Sequence, residues 1–415
     1  MVMLSQLRRF GLVDAHMRHA TFIDGAIALH GDHPPITRLL FHDAEKVLHV
    51  LPWTAVQAID WHMRQLRVAD LAAGHPMSSD ALGQEVLLRR DILDALILDL
   101  QQRRATRAND LWLEEDQGQL CLRAVDTGVG AIWRRVSRGR YRLMTPRTLC
   151  DWKYVEFLRG DPHAVSRGIG YHRRIARLPP GEIAHLTHPL PYLHAAELIM
   201  LLPTPMAAET LAAMPPERQL QVFEELAEDE AVRLLTLMAP NLAADLVGRL
   251  PTLTMRRYLE ALPRRQSERL IELLRYPEET VGGLMTNDVV FVEGGLTVAE
   301  AWHTLRSRLQ GPAFVYLIYV VETAATRRLR GVISLRRLLT AEAAHRVDAL
   351  MDPYVTTLYP LESAREAAYR VLNSHLAALP VVGHEGQLLG VVTVDAALAQ
   401  VVPSRWRAHM PRIFT

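Results

Sequence analysis

The spacing of apolar positions changes twice along this 415-residue chain, and each change marks a different kind of element. From about residue 20 to 180 the apolar segments are short and bounded by turn formers, which predicts strands. Thr21–Leu29, Thr37–Phe41 and Lys46–Leu51 are separated by Gly31–Pro35 and His42–Ala44; Asp91–Asp99, Ala105–Leu113 and Leu120–Val125 follow, separated by Gln101–Arg104 and the acidic turn Glu114–Gly118. The same order occurs twice, so residues 1–190 read as a β-rich region built from a duplicated small barrel.

Residues 191–280 carry a helical period instead. An apolar residue followed by proline recurs at Leu202-Pro203, Met214-Pro215, Ala239-Pro240, Leu250-Pro251, Leu262-Pro263 and Tyr276-Pro277, in steps of 12, 25, 11, 12 and 14 residues. The double step implies a unit whose proline is missing near Ala227. Proline suits the first turn of a helix, where its absent N–H leaves no bond unmade, so each one opens a short helix. Helices this short are unstable alone. Leu220, Val222, Phe223, Leu226, Leu234, Leu235, Leu246 and Leu270 must therefore bury against neighbouring units, as in a superhelical stack.

Residues 281–402 repeat themselves in an α/β pattern. Leu284-Met285 aligns with Leu350-Met351, Thr297 and Glu300 with Ser363 and Glu366, and Gly331-Val332-Ile333-Ser334 with Gly390-Val391-Val392-Thr393. Thr297-x-x-Glu300 and Ser363-x-x-Glu366 predict capping boxes at equivalent helix starts. The predicted strands are Val289–Val292, Phe314–Val321 and Leu329–Ser334, then Val355–Leu358, Leu379–Val382 and Leu388–Thr393. A tail, residues 403–415, completes the division. The fold class is multidomain α+β.

Composition removes several function classes. With 49% hydrophobic and 22% charged residues the chain is of globular type. Its longest apolar run, Ala313–Val321, is far shorter than a bilayer span, and residues 1–20 lack the apolar block of a signal peptide, so a cytoplasmic location is expected. Cys121 and Cys150 have no C-x-x-C spacing and read as reduced structural thiols. His16-x-x-His19, His30-x-x-His33 and His185-x-x-His188 lack further ligands and read as surface or turn histidines. Gly168-Ile169-Gly170 lacks the third glycine of a dinucleotide loop. With no nucleophile and base paired in any motif, a non-enzymatic protein is expected.

Charge is uneven: +4 over residues 1–191, −5 over 192–280 and +2 over 281–415. Only Lys46 and Lys153 are lysines, and Arg134–Arg177 carries a net charge of +9. That segment reads as a solvated rim pairing with the acidic helical region, or as a docking surface for an acidic protein face or anionic lipid. No nucleic-acid motif accompanies it, so nucleic acid is not expected as a partner.

Three resemblances follow from these residues. Arg89–Asp94 and Arg107–Asp110 resemble PRC-barrel modules. Leu193–Leu198 is similar to the start of the intracellular helical domain of MgtE-type magnesium channels, and Tyr276–Thr286 to the junction between that domain and its CBS pair. Gly331–Arg336, Ala378–Val382 and Gly390–Asp395 resemble CBS motifs. The resemblance covers about residues 190–400 and implies an α-superhelix followed by a CBS pair that dimerises. The membrane domain that follows the pair in that family has no counterpart in Pro403–Thr415, which implies a regulatory part without a pore. It further implies Mg²⁺ as a ligand between acidic faces, with Asp245, Glu322 and Glu385 at the matching positions, and adenine nucleotide at Ser334, Arg337, Pro380, Thr393 and Asp395. Apart from the resemblance, Glu228, Asp229 and Glu230 form the best local acidic cluster and read as a Mg²⁺ site or as a simply solvated face. Two residue patterns differ from the family's: Asn241-Leu242-Ala243-Ala244-Asp245 keeps one carboxylate of three, and Arg337 and Ala396 stand where a ribose-binding Asp is usual.

The functional expectation is a regulatory Mg²⁺ sensor that docks on a membrane cation transporter. The alternatives are an adenine-nucleotide switch and a scaffold that binds no small ligand.

Overall fold

A computed structural model describes residues 2–77, 82–83, 85–136, 148–159, 174–309 and 315–402. Much of the arginine-rich segment Arg134–Arg177, the Gly168-Ile169-Gly170 motif and the tail after residue 402 lie outside them. The chain forms two compact units, Met1–Pro179 with Leu186–Pro203, and Pro180–His185 with Thr204–Thr415.

The first unit is β-rich. Its largest sheet runs in the order Val56–Asp60, Gln65–Val68, Gly11–Val13, His19–Ile27, Ile36–His42, Leu48–Pro52, His75–Pro76, with Val86–Leu87 paired to His19–Ile27. All neighbours are antiparallel except Gln65–Val68 beside Gly11–Val13. A second sheet joins Val2–Met3, Asp110–Asp116, Gln119–Asp126 and Leu149–Asp151; a third joins Arg104–Arg107, Leu96–Asp99 and Val155–Leu158. One continuous core, from Leu4 and Leu12 through Phe41 and Leu66 to Leu111, Trp152 and Phe157, is shared by strands of both predicted sets. A trace of duplication is local: Trp53 and Trp152 each open a 3₁₀ turn that leads into a strand, and both rings are buried.

Two predicted strands of this unit are broken. Asp91–Asp99 is a strand only over Leu96–Asp99, because Leu88–Ile92 winds into a π-helical turn. The buried Asp24 carboxylate holds that turn by accepting the N–H groups of Arg89 and Arg90, and the Asp91 carboxylate accepts the N–H of Leu87. Ala105–Leu113 splits into Arg104–Arg107 and Asp110–Asp116, which belong to different sheets. Ala108 exchanges backbone bonds with the Asp94–Ala95 corner, and the Asn109 side chain donates to the carbonyls of Thr127 and Gly128.

Helices Tyr192–Leu201, Thr204–Ala213, Pro216–Glu224, Glu228–Leu237, Pro240–Gly248, Thr252–Ala261 and Arg264–Leu273 follow the proline period. Prolines 215, 251 and 263 sit one position earlier than expected, at the N-cap, as does Pro191, while Pro216 and Pro240 occupy the first turn; Pro277 leads into a turn at residues 278–279 and opens no helix. Ala227 caps the unit whose proline is missing. In the second unit, Thr204–Ala213 packs on Glu228–Leu237, and Pro240–Gly248 on Arg264–Leu273. Of the predicted core residues all are buried except Leu220, which is half-buried.

Two small sheets complete the second unit. Phe291–Glu293, Leu317–Val321 and Leu329–Ser334 form one, and Ala378–Val382 with Leu388–Thr393 the other. The first copy's opening strand is shifted and shortened relative to Val289–Val292, and Phe314 lies outside the described residues. Val355–Leu358 is not a strand; Leu358 alone makes a bridge, to Val381. Thr297 and Glu300 form the expected capping box, but the Ser363 hydroxyl makes no cap bond; at that helix start the Glu279 carbonyl accepts the N–H of Ala364.

The first unit also buries charge. Glu156 is fully buried, and its Oε2 accepts the N–H of Ile175 at 3.1 Å. Burial pushes the carboxyl up to about 8, with the nearby Glu197 carboxylate adding to the rise and Arg174 opposing it. A carboxyl whose folded-state pKa lies above its unfolded value costs stability once the unfolded chain ionises and the folded one does not. Wild type should therefore lose stability as pH rises from about 5 through about 8, and Glu156→Gln should flatten that slope in denaturant titrations across the interval. An unchanged slope in the variant contradicts the assignment.

Candidate functional site at the junction of array and tandem

The segment Tyr276–Asn287 joins the helical array to the α/β tandem and is bonded to the tandem's second copy at each step. Val281 and Gly282 donate to the carbonyls of Glu362 and Pro360 at 2.9 and 2.8 Å, and Thr286 exchanges two 2.9 Å bonds with Val391. The mirror arrangement joins Asp352 to Val332 in the first copy, at 2.8 and 3.0 Å. This reciprocal crossing explains the repeated glycines. A Cβ on Gly331 would lie 2.6 Å from the Asp352 carbonyl oxygen, and one on Gly390 2.7 Å from that of Thr286.

The array is fastened to the same segment. Asn287 donates to the Arg269 carbonyl at 3.0 Å, Arg269 pairs with Asp288 at 3.2 Å, and the short helix Val281–Leu284 packs on Pro240–Gly248. Between these parts opens a cleft of about 300 Å³, walled by Glu272, Arg275 and Tyr276 of the array, Met285 and Asn287 of the junction, and Arg327 with Gln387 of the two tandem copies. Tyr276 and Met285 belong to the junction motif, and the others, dispersed over more than a hundred positions, carried no sequence signal of a shared cleft.

The predicted cation residues do not converge. Glu228, Asp229 and Glu230 open one helix, where carboxylates suit the helix dipole. Each is already paired: Asp229 and Glu230 with Arg233, and Glu228 with Arg257 at 3.4 Å. Glu322 and Glu385 are exposed on the turns of the two tandem copies. Those turns are stitched by backbone bonds from Leu329 to Gly386 and from Leu388 to Arg327, with Arg328 donating to the Glu385 carbonyl at 3.0 Å. Among the described residues no three acidic, His or Cys side chains cluster as a metal site.

Asp245 differs from the rest. Burial pushes its carboxyl up to about 6, Arg249 opposes the rise and the Glu278 carboxylate adds to it. Arg249 Nε lies 3.6 Å from Glu278 Oε1 of the junction and acts on the Asp245 carboxyl of the array only through its charge. Mg²⁺ is commonly held by one or two carboxylates with several waters. The pair meets that carboxylate count, and what separates it from the exposed, arginine-paired Glu228–Glu230 cluster is the desolvation of Asp245, whose carboxyl Glu278 pushes up further.

The predicted nucleotide residues are divided between two helix starts. Ser334 accepts the N–H of Arg337 at 3.2 Å, and Thr393 that of Ala396 at 3.3 Å, so both hydroxyls serve as N-caps. Asp395 lies in the first turn after Thr393, Arg337 is exposed, and Pro380 sits within its strand, its carbonyl accepting from Leu358. Between the two sheets Phe291, Tyr319, Val332 and Val391 form an apolar core. The described residues place no carboxylate at the two positions where a ribose would be bound, so the fit to a nucleoside is poor.

The comparisons agree with this architecture. Residues 178–279 match the family model of the MgtE intracellular N domain, and residues 281–344 and 347–402 each match the CBS domain. The chain is 40% identical over 136 residues to the magnesium transporter MgtE of Thermus thermophilus, which is 33% of this chain and 30% of that protein. It is 26% identical over 228 residues to the Bacillus subtilis MgtE, 55% of this chain and 50% of the relative. The chain thus spans half or less of the length of these relatives. A solved cytosolic domain of the Mg²⁺ channel MgtE in complex with ATP is 31% identical, with a TM-score of 0.53 over 57% of this chain and 97% of that one. Among the described residues no helix is long and apolar enough to cross a membrane.

The junction itself yields a test. A Cβ on Gly283 would approach the Pro277 carbonyl oxygen to 2.5 Å and the Glu278 Cα to 2.8 Å, both backbone atoms that cannot move aside cheaply. Gly283→Ala should lower stability by about 1–3 kcal/mol in urea titrations. Gly181→Ala, which would meet nothing within 4 Å, should change it little. Equal effects would contradict the close packing described. With its helical array, its junction and its twofold tandem, the region from residue 178 to 402 belongs to the family of MgtE cytosolic regions.

Proposed function

We propose that the chain is a non-enzymatic regulatory protein that senses a divalent cation, with Mg²⁺ first, at the junction of array and tandem, and docks on a membrane cation transporter from the cytoplasmic side. The observation that carries this reading is the Asp245–Arg249–Glu278 arrangement, in which a carboxylate of the array and one of the junction interact electrostatically. A hydrated Mg²⁺ there supplies the charge that favours the ionised form of Asp245, and holds array and junction together. Asp245 and Glu278 would provide the ligands, and Arg249 would swing away to solvent. The likeness to MgtE supports the choice of cation.

A homodimer through the CBS pair is part of the same reading. It is supported by the run Tyr354, Tyr359 and Leu361, which are 93%, 47% and 70% exposed on one segment of the second copy. The β-rich region reads as two PRC-barrel-like modules, 1–190 in all, on the support of the paired Trp53 and Trp152 turns.

A second reading, adenine-nucleotide binding at Ser334 and Arg337, has the ATP complex of the relative behind it. Calorimetric titration of the full chain separates the two. With MgCl₂, wild type should bind, Asp245→Ala should bind about tenfold or more weakly, and a Glu228→Gln/Asp229→Asn/Glu230→Gln variant should bind as wild type. Loss of binding in the triple variant alone, or no binding at all, contradicts the cation site. ATP binding that Arg337→Ala abolishes would favour the nucleotide reading.

A further inference from the structure

Helix Val129–Val136 has its amphipathicity reversed. A helix on a globular surface normally turns its apolar stripe inward and its charges outward. Here Val129, Ile132 and Trp133, at i, i+3 and i+4, are 69%, 42% and 66% exposed, while Ala131 is fully buried. Arg135, four residues after Ala131, is turned inward: its guanidinium pairs with Asp94 through bonds of 2.6 and 2.7 Å and donates to the Asn109 carbonyl at 3.0 Å. The fold spends a cation on anchoring and presents the apolar face to solvent.

The helix is also firmly rooted. It enters the chain between two neighbouring antiparallel strands, Gln119–Asp126 and Leu149–Asp151, whose ends pair at Asp126 and Leu149. Asp126 accepts from the Gly128 N–H and the Thr148 hydroxyl, each at 2.9 Å. Asn109 donates to the carbonyls of Thr127 and Gly128. A Cβ on Gly128 would fall 2.3 Å from the Thr148 hydroxyl oxygen, which leaves glycine as the residue that fits the root.

Charge identifies the occupant. From Thr127 to Cys150 the sequence has six arginines and no acidic residue. Arg135 is paired with Asp94, and the other five arginines lie in the same stretch with no acidic residue among them; an apolar stripe with an exposed tryptophan in so basic a stretch of sequence has the chemistry of an element lying in the headgroup region of an anionic bilayer. We infer that helix Val129–Val136 is a membrane-interface anchor, inserting Val129, Ile132 and Trp133 among the acyl chains of an anionic lipid surface. An acidic protein face would satisfy the arginines but would leave the projecting aliphatic and indole groups without an apolar phase. The inference stands apart from the cation site, which lies in the other unit.

Flotation of the full chain with vesicles of neutral phosphatidylcholine, and with vesicles containing about 30% phosphatidylserine, tests it, in EDTA so that divalent binding plays no part. Wild type should partition on the order of tenfold more strongly to the anionic vesicles, and less at high salt. Ile132→Ser/Trp133→Ser should lose most of that partition with an unchanged thermal midpoint, while Leu253→Ser, at a residue 81% exposed elsewhere, should retain it. No partition, partition indifferent to lipid charge, or partition retained by the double variant overturns the inference. So does binding to soluble polyglutamate as tight as to vesicles, which would assign the surface to an acidic protein.

Discussion

The second unit depends on one short stretch of backbone having no room to move. Between Tyr276 and Asn287 the chain must leave a helical stack and enter a twofold α/β tandem. It does so by lending its N–H and carbonyl groups to the far copy of the tandem rather than the near one. Backbone groups buried without partners are costly, so this lending fixes the path of the segment. Glycines 282 and 283 follow from it, since a Cβ at the first would strike the Tyr276 ring at 2.3 Å and at the second the backbone of Pro277. The contacts of Asn287 and Asp288 with Arg269, which fasten the array, lie at the end of that path.

Much of this fold is legible in the sequence because its periods are physical. Proline every twelve residues marks helix starts, since an imide cannot donate in a helix interior, and the six array helices from Thr204–Ala213 to Arg264–Leu273 begin within a residue of where that argument puts them, whereas Pro277 opens none. The Gly-Val-x-Ser/Thr repeat marks paired strands, and Leu329–Ser334 and Leu388–Thr393 have the expected bounds. What escaped notice was set by long-range partners. The π-helical turn at Leu88–Ile92 exists because Asp24, more than sixty positions earlier, captures its amides. Ser363 has the right spacing for a capping box and makes none. A local rule describes a local competition, and at Leu88–Ile92 it was decided by a residue outside it.

The candidate site was less legible than the fold for the same reason. Acidic residues adjacent in sequence, Glu228 to Glu230, suggested a cation site, yet their neighbours in space are arginines one turn or one helix away. Asp245 looked like a remnant of a richer motif, and its distinguishing property, burial opposite Glu278, depends on the junction's path. Nearly all cations of this chain are guanidinium groups, which pair bidentately and hold carboxylates firmly. An acidic surface so neutralised leaves few places where a hydrated dication gains by binding, and the array–junction pair is one because the Asp245 carboxyl is desolvated beside Glu278 and lacks an ion pair of its own among the described residues.

The central claim is that a cation at Asp245 and Glu278 tightens the junction. Hydrogen exchange of the full chain, compared in EDTA and in about 10 mM MgCl₂, reads this residue by residue, because opening of the segment exposes the amides of Val281, Gly282 and Thr286. The account predicts slower exchange from Tyr276 to Asn287 and at Val391 with Mg²⁺, and no change in the strands of the first unit. Unaltered exchange across the junction under conditions where the ion binds would contradict it.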